Sequence, residues 1–123
     1  MIAADTSSLS AYFKGETGRD VELMAQAMIG ELHLPPIVVT EILSDPNAAT
    51  EMMETVAQFL VLPILDGYWE RAGEARRKLK LHGLKAKVAD ALIAQSCIDH
   101  DVALITRDTD FRHFANHCGL KLA

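Results

Sequence analysis

Cysteine is scarce in this chain. Cys97 and Cys118 are the only two in 123 residues, 118 − 97 = 21 positions apart, with no C-x-x-C pair. A disulfide scaffold is therefore not what holds the fold. Cys97, set among Leu92, Ala94 and Ile98, reads as a small buried hydrophobe rather than a thiol nucleophile. Long apolar runs are missing too: the longest, Phe59 to Leu65, has seven residues with Pro63 inside it. Crossing a bilayer takes roughly 18, so no membrane span is expected. No basic segment followed by an apolar stretch opens the chain at Met1-Ile2-Ala3-Ala4-Asp5, so no secretory leader is expected and the expected location is the cytoplasm. Gly/Ser linkers, internal repeats and low-complexity tracts are also lacking, which predicts one domain over 1–123. A chain of this length buries roughly two-thirds of its unfolded surface in one core. The five histidines, His33, His82, His100, His113 and His117, form no H-E-x-x-H pattern, which disfavours zinc.

Positive charge is in deficit overall, with 12 Lys and Arg against 17 Asp and Glu, a net charge of −5. Taken alone, this argues against a polyanionic partner, because phosphate backbones select basic surfaces. The distribution reverses that argument. Arg71, Arg76, Arg77, Lys78, Lys80, Lys85 and Lys87 place seven of the twelve basic residues in 71–87, against one acid, Glu74. The rest of the chain carries five bases and sixteen acids. Such polarity suits a protein that holds cations at one place and touches a polyanion at another; a solvated helix face with lysines for solubility is the other reading.

The punctuation predicts short strands alternating with helices. Met1 to Ala4 is apolar and stops at Asp5-Thr6-Ser7-Ser8, side chains that cap helices, so a strand is followed by a helix over Ser7 to Phe13. Val21, Met24, Ala25 and Met28 predict a second helix ending at Gly30. Leu32 to Leu34 reads as a strand, and Pro35-Pro36 presets the first turn of a helix to about Ser44. Met52, Met53, Val56, Phe59 and Leu60 form one apolar stripe on a further helix, and Val61 to Ile64 a third strand. Tyr68, Ala72, Ala75 and Leu79 repeat at helical spacing up to His82-Gly83, leaving the basic residues on the opposite face. Then come a helix from Ala86 to Asp99, a strand over Val102 to Ile105, a helix from Phe111 to His117 and an edge strand at Leu120 to Leu122. Strands separated by helices give an α/β fold, a central parallel sheet flanked by helices on both faces.

In such sheets ligands collect beyond the carboxyl ends of the strands. Asp5 follows the first strand directly, and Asp108 and Asp110 follow Val102 to Ile105 after Thr106 and Arg107. Each could simply cap the next helix. Glu41 and Asp90 are harder to dismiss, because Ile37, Val38, Val39, Ile42 and Leu43 surround the first, and Val88, Ala89, Ala91, Leu92 and Ile93 the second. Two carboxylates about 5 Å apart repel by roughly 3 kcal/mol at an effective dielectric of about 20, and every pair among four adds to that. A divalent cation cancels the repulsion, and an all-oxygen set without His or Cys selects Mg²⁺ or Mn²⁺.

Asp5-Thr6-Ser7-Ser8, Val39-Thr40-Glu41-Ile42-Leu43, Ala89-Asp90-Ala91-Leu92-Ile93-Ala94 and Leu104-Ile105-Thr106-Arg107-Asp108-Thr109-Asp110-Phe111 together resemble the PIN-domain family, and within it the VapC-type toxins of toxin–antitoxin pairs. The likeness runs over nearly the whole chain. It implies a PIN-like domain with metal-dependent endoribonuclease activity, held inactive by a cognate VapB-like antitoxin, and a homodimer. It also implies Asp5, Glu41, Asp90 and Asp108 as the acidic quartet, Asp110 as an accessory metal ligand or orienting group, and Thr6 and Thr106 as supporting hydroxyls. The 71–87 stretch is less fixed in that family, so its RNA-binding role rests on charge. Two other readings stand beside this one. One is a catalytically degenerate PIN domain serving as a binding or regulatory module. The other is a phosphoryl-transfer enzyme of the receiver or haloacid type, which wants an acidic pair on the first strand where this chain has Asp5-Thr6-Ser7.

Overall fold

The computed structural model describes residues 1–123. The chain runs β1 (Ile2–Ala4), α1 (Thr6–Phe13), α2 (Arg19–Ala27), β2 (Leu32–Leu34), α3 (Pro36–Ser44), α4 (Thr50–Val56), β3 (Leu60–Val61), α5 (Tyr68–Leu81), α6 (Val88–Asp99), β4 (Ala103–Ile105), α7 (Phe111–Cys118) and β5 (Lys121–Leu122). The strands form a single sheet in the order β3-β2-β1-β4-β5, with every pairing parallel. This is the expected single α/β domain. Each step between parallel strands is a crossover that carries at least one helix; α1 packs on α2, α5 packs on α6 and α7, and α3 meets both α1 and α6. No helix is long and apolar enough to cross a membrane.

The three inner strands are short and apolar because both faces are covered. Ala3, Ala4, Leu34, Leu104 and Ile105 are buried, and Leu9, Met24, Val38, Ile42, Leu79, Phe111 and Phe114 pack over them from the helices. Cys97 joins this core as a free thiol whose pKa burial pushes up to about 12. Pro36 occupies the first turn of α3, where its missing N–H costs nothing. Gly67 precedes α5 at φ 81°, a left-handed conformation that a side chain would strain, and the Arg71 guanidinium packs where its Cβ would be.

Three expected elements differ. The stripe from Met52 to Leu60 is not one helix: α4 stops at Val56, a turn closes with Phe59 N–H donating to the Val56 carbonyl, and Leu60 already belongs to β3. The third strand is correspondingly earlier and shorter than Val61 to Ile64. Leu62 N–H still donates to the Leu34 carbonyl at 2.9 Å, but Pro63 has no N–H to continue the ladder. Helix α6 begins at Val88 rather than Ala86, because Lys87 is extended as its cap and the Ala86 carbonyl accepts the Arg76 Nε–H instead.

Candidate functional site

Strand order reverses between β1 and β4, which lie side by side at the centre of the sheet, so their carboxyl ends flank the switch-point crevice. Asp5 is the first residue past β1, with its N–H donating to the Ile105 carbonyl at 3.1 Å. It caps α1: Oδ1 accepts the Ser8 N–H at 3.0 Å. The Ser7 hydroxyl lies 2.9 and 2.8 Å from the two carboxylate oxygens, and Oδ2 accepts the Thr106 hydroxyl at 2.6 Å. Burial raises the Asp5 pKa from 3.8; the Thr106, Ser8 and Ser7 hydrogen bonds pull it back, and the Asp108 charge adds to the rise.

Thr106 serves two acids at once. While donating to Asp5, its oxygen accepts the Asp108 N–H at 3.0 Å, and Asp108 Oδ1 in turn accepts the Asp110 N–H at 2.9 Å. Asp90 enters from the first turn of α6, where the helix dipole favours an anion. One oxygen each of Asp90, Asp108 and Asp110 lies within 4.8 Å of the others, all three residues half-buried. Asp90 is pushed up to about 6, first by burial and then by Asp108, with Asp110 and Glu41 adding and Lys87 opposing. Glu41 is held from α3 by the Thr6 hydroxyl at 2.7 Å.

The acids picked out in the sequence thus gather at one end of the sheet, but not as one tight quartet. The compact group is Asp90, Asp108 and Asp110; Asp5 is joined to it through Thr106, and Glu41 through its field at Asp90. Asp110 stands in the group on equal terms with Asp108. The donors are all carboxylate oxygens, partly desolvated and mutually repelling. A hard divalent cation such as Mg²⁺ or Mn²⁺ fits that chemistry, and Asp90, Asp108 and Asp110 are the residues that could hold it.

The basic stretch is not a single surface. Lys85 Nζ is 3.7 Å from Asp110 Oδ2, and Lys87 opposes the rise at Asp90, so both border the acids. Arg77, Lys78 and Lys80 are exposed on α5, opposite the buried Tyr68, Ala72, Ala75 and Leu79. Arg71 instead grips Asp99 with two hydrogen bonds of 2.9 and 2.7 Å and donates to the Asp66 carbonyl, near the end of α6 remote from Asp90. Arg76 is held by the Ala86 carbonyl at 2.8 Å. Sequence reasoning passed over Ser7, although a hydroxyl two residues after a capping aspartate is a recognisable partner for that carboxylate.

A family profile described as the PIN domain matches residues 2–117. No curated protein matches by sequence. Among solved structures, the fold is similar to that of VapBC2 from Rickettsia felis bound to a DNA fragment from its promoter, with TM-score 0.74, 20% identity, and 100% of this chain and 98% of that one covered. It is similar to FitAcB from Neisseria gonorrhoeae, with TM-score 0.69, 20% identity, and coverage of 99% and 96%. It is also similar to VapBC-5 from Mycobacterium tuberculosis, a member of the VapBC family of toxin–antitoxin systems, with TM-score 0.67, 20% identity, and coverage of 98% and 95%. Identities this low establish a shared fold.

Proposed function

The chain belongs to the PIN-domain family, and from that premise we propose that it is a metal-dependent endoribonuclease, the toxin of a type II toxin–antitoxin pair. The observation that carries the proposal is the convergence of Asp90, Asp108 and Asp110 within 4.8 Å at the switch point, with Asp5 and Glu41 beside them. The likeness to VapBC and FitAcB structures supports the toxin assignment. A divalent ion bound there supplies an acidified water and offsets charge developing on a phosphate.

The chain's own residues do the rest. Asp90, Asp108 and Asp110 hold the Mg²⁺ or Mn²⁺, and Thr106 fixes the loop that presents two of them. Asp5 is oriented by Thr106 and Ser7, and Glu41 by Thr6. Lys85 and Lys87, which border the acids, neutralise phosphates of an RNA strand in this reading, and Arg77, Lys78 and Lys80 extend that path along α5. Single-stranded or loop RNA is the expected substrate, since its phosphates and bases are accessible.

An acidic pocket invites a cationic plug, so the proposed antitoxin offers an Arg or Lys together with an amphipathic helix. Protein partners, whether the antitoxin or a second copy in a homodimer, have an apolar surface available. Ile64 and Trp69, both exposed, line with Ile37 a cavity of about 280 Å³ between α3 and α5, adjoining Thr40 next to Glu41.

The test is cleavage of RNA with and without Mn²⁺ by wild type, Asp5→Asn and Asp90→Asn. Each variant should keep its fold and lose cleavage by about 10²-fold or more, the scale of the several kcal/mol that metal-assisted charge stabilisation contributes. Undiminished cleavage by either would refute the assignment. Calorimetric titration with Mn²⁺ separates this reading from a degenerate, non-catalytic PIN domain, which would take up no ion.

A further inference from the structure

Arg107 sits between two residues of the acidic site and points away from it. Beyond Ile105 the β1–β4 ladder has ended, so side chains must hold the 106–108 segment. Thr106 faces Asp5, whereas the Arg107 guanidinium reaches the loop joining α1 and α2. Its Nε and Nη2 donate to the two oxygens of Asp20 at 2.8 and 3.1 Å, Nη1 to Glu16 Oε2 at 3.1 Å, and Nη2 also to the Thr17 carbonyl at 3.1 Å. Asp20 Oδ2 also accepts the Ser8 hydroxyl at 2.9 Å, and Ser8 is the residue whose N–H donates to the capping Asp5 carboxylate.

These bonds close a ring. From Asp5 it passes through Thr106 to Arg107, across to Asp20, back to Ser8 and so to Asp5, tying the ends of β1 and β4 to the start of α2. The pair is two-pronged, so it fixes angle as well as distance. Gly18, at φ 145°, leaves the room this needs: a Cβ there would come 2.7 Å from Asp20 Oδ1 and 3.3 Å from Arg107 Nη2. The Asp20 side chain is 10% exposed and the Arg107 side chain 34%, and the Asp20 carboxyl is held below its ordinary range, chiefly by the Arg107 hydrogen bonds.

We propose that Arg107 and Asp20 are positioning residues for the acidic site, acting through Thr106 and Ser8 to hold Asp108 in ligating geometry with Asp5 fixed beside it. The proposal rests on the metal-dependent reading of that site. Partners that orient metal ligands from outside the coordination sphere set affinity by removing the freedom the ligands would otherwise lose on binding.

The experiment compares wild type, Arg107→Met, Arg107→Lys, Asp20→Asn and the double variant Arg107→Met/Asp20→Asn by Mn²⁺ calorimetry, thermal melting and amide hydrogen exchange at Asp108 in metal-free protein. Arg107→Met and Asp20→Asn should each weaken Mn²⁺ binding by about tenfold or more, the usual effect of losing such a partner. Arg107→Lys keeps the charge but not the fork and should fall between. The double variant should bind no worse than Arg107→Met, since both substitutions break one pair, and exchange at Asp108 should quicken in each. A lowered melting temperature with wild-type Mn²⁺ affinity would reduce the pair to a packing role and overturn the proposal. If wild type and Asp90→Asn take up Mn²⁺ equally, the metal reading itself fails. Exchange at Asp108 then decides the positioning role, and an unchanged rate in Arg107→Met overturns it.

Discussion

Asp90→Asn separates stability from function. The Asp90 carboxyl titrates near 3.8 in the unfolded chain and at about 6 in the folded one, raised first by burial and then by Asp108. Between those values the folded state keeps a proton the unfolded state has lost, so stability falls as pH rises through the window, and the whole penalty is present above about pH 6. The interval from 3.8 to about 6, at about 1.4 kcal/mol per pH unit, sets a ceiling of about 3 kcal/mol. Asp90 keeps part of its solvent contact, so screening reduces the expected penalty to about 1–2 kcal/mol.

The neutral amide removes that penalty. Urea denaturation in metal-free buffer at about pH 7.5 should therefore find Asp90→Asn more stable than wild type by about 1–2 kcal/mol, with the gap closing towards about pH 4. Asp5, also raised by burial, leaves the variant a residual slope of the same sign. Asp20 and Asp99, lowered by Arg107 and Arg71, contribute stability that is lost only as pH falls below the ordinary carboxylate range, outside this window. Added Mn²⁺ should stabilise wild type at about pH 7.5 and not the variant. A variant equal to or weaker than wild type at that pH, or one with an unaltered slope between about pH 4 and 6, would refute the claim that burial and the neighbouring acids penalise the Asp90 charge in the metal-free protein.

Two further outcomes follow from other parts of the molecule. Replacing Lys85 and Lys87 together with alanine should weaken RNA binding and reduce the salt slope by about 1.4, two phosphate contacts at about 0.7 each for a single strand; an unchanged slope would remove both from the RNA path. Phe114→Ala, at a fully buried position beside Phe111, should cost about 3–5 kcal/mol in urea denaturation, and a loss below about 1 kcal/mol would mean that α7 is not packed as described.

Much of the architecture was legible because its signals are local. Asp5 capping α1, Pro36 opening α3 and the Tyr68, Ala72, Ala75, Leu79 stripe are each set within a turn or two of chain. The errors fell where two local signals overlapped. Met52 to Leu60 keeps a helical apolar spacing across a boundary that only sheet pairing defines, and Leu60 and Val61 form a strand because β2 offers them an edge. The basic stretch depends on tertiary contacts in a similar way. Charge counted along the sequence cannot reveal that Asp99 and the Ala86 carbonyl already engage Arg71 and Arg76.

For the site, the amino-acid sequence by itself determined which acids lie past strand ends or in apolar surroundings, and that oxygen donors without His or Cys suit a hard cation. Tertiary structure alone decided their grouping: Asp90, Asp108 and Asp110 close together, Asp5 and Glu41 beside them, and Thr106 shared between two of the acids. The cause is geometric. Strand order puts the ends of β1 and β4 side by side although about a hundred residues separate them in the chain, and hydrogen bonds of that span leave no periodicity to read.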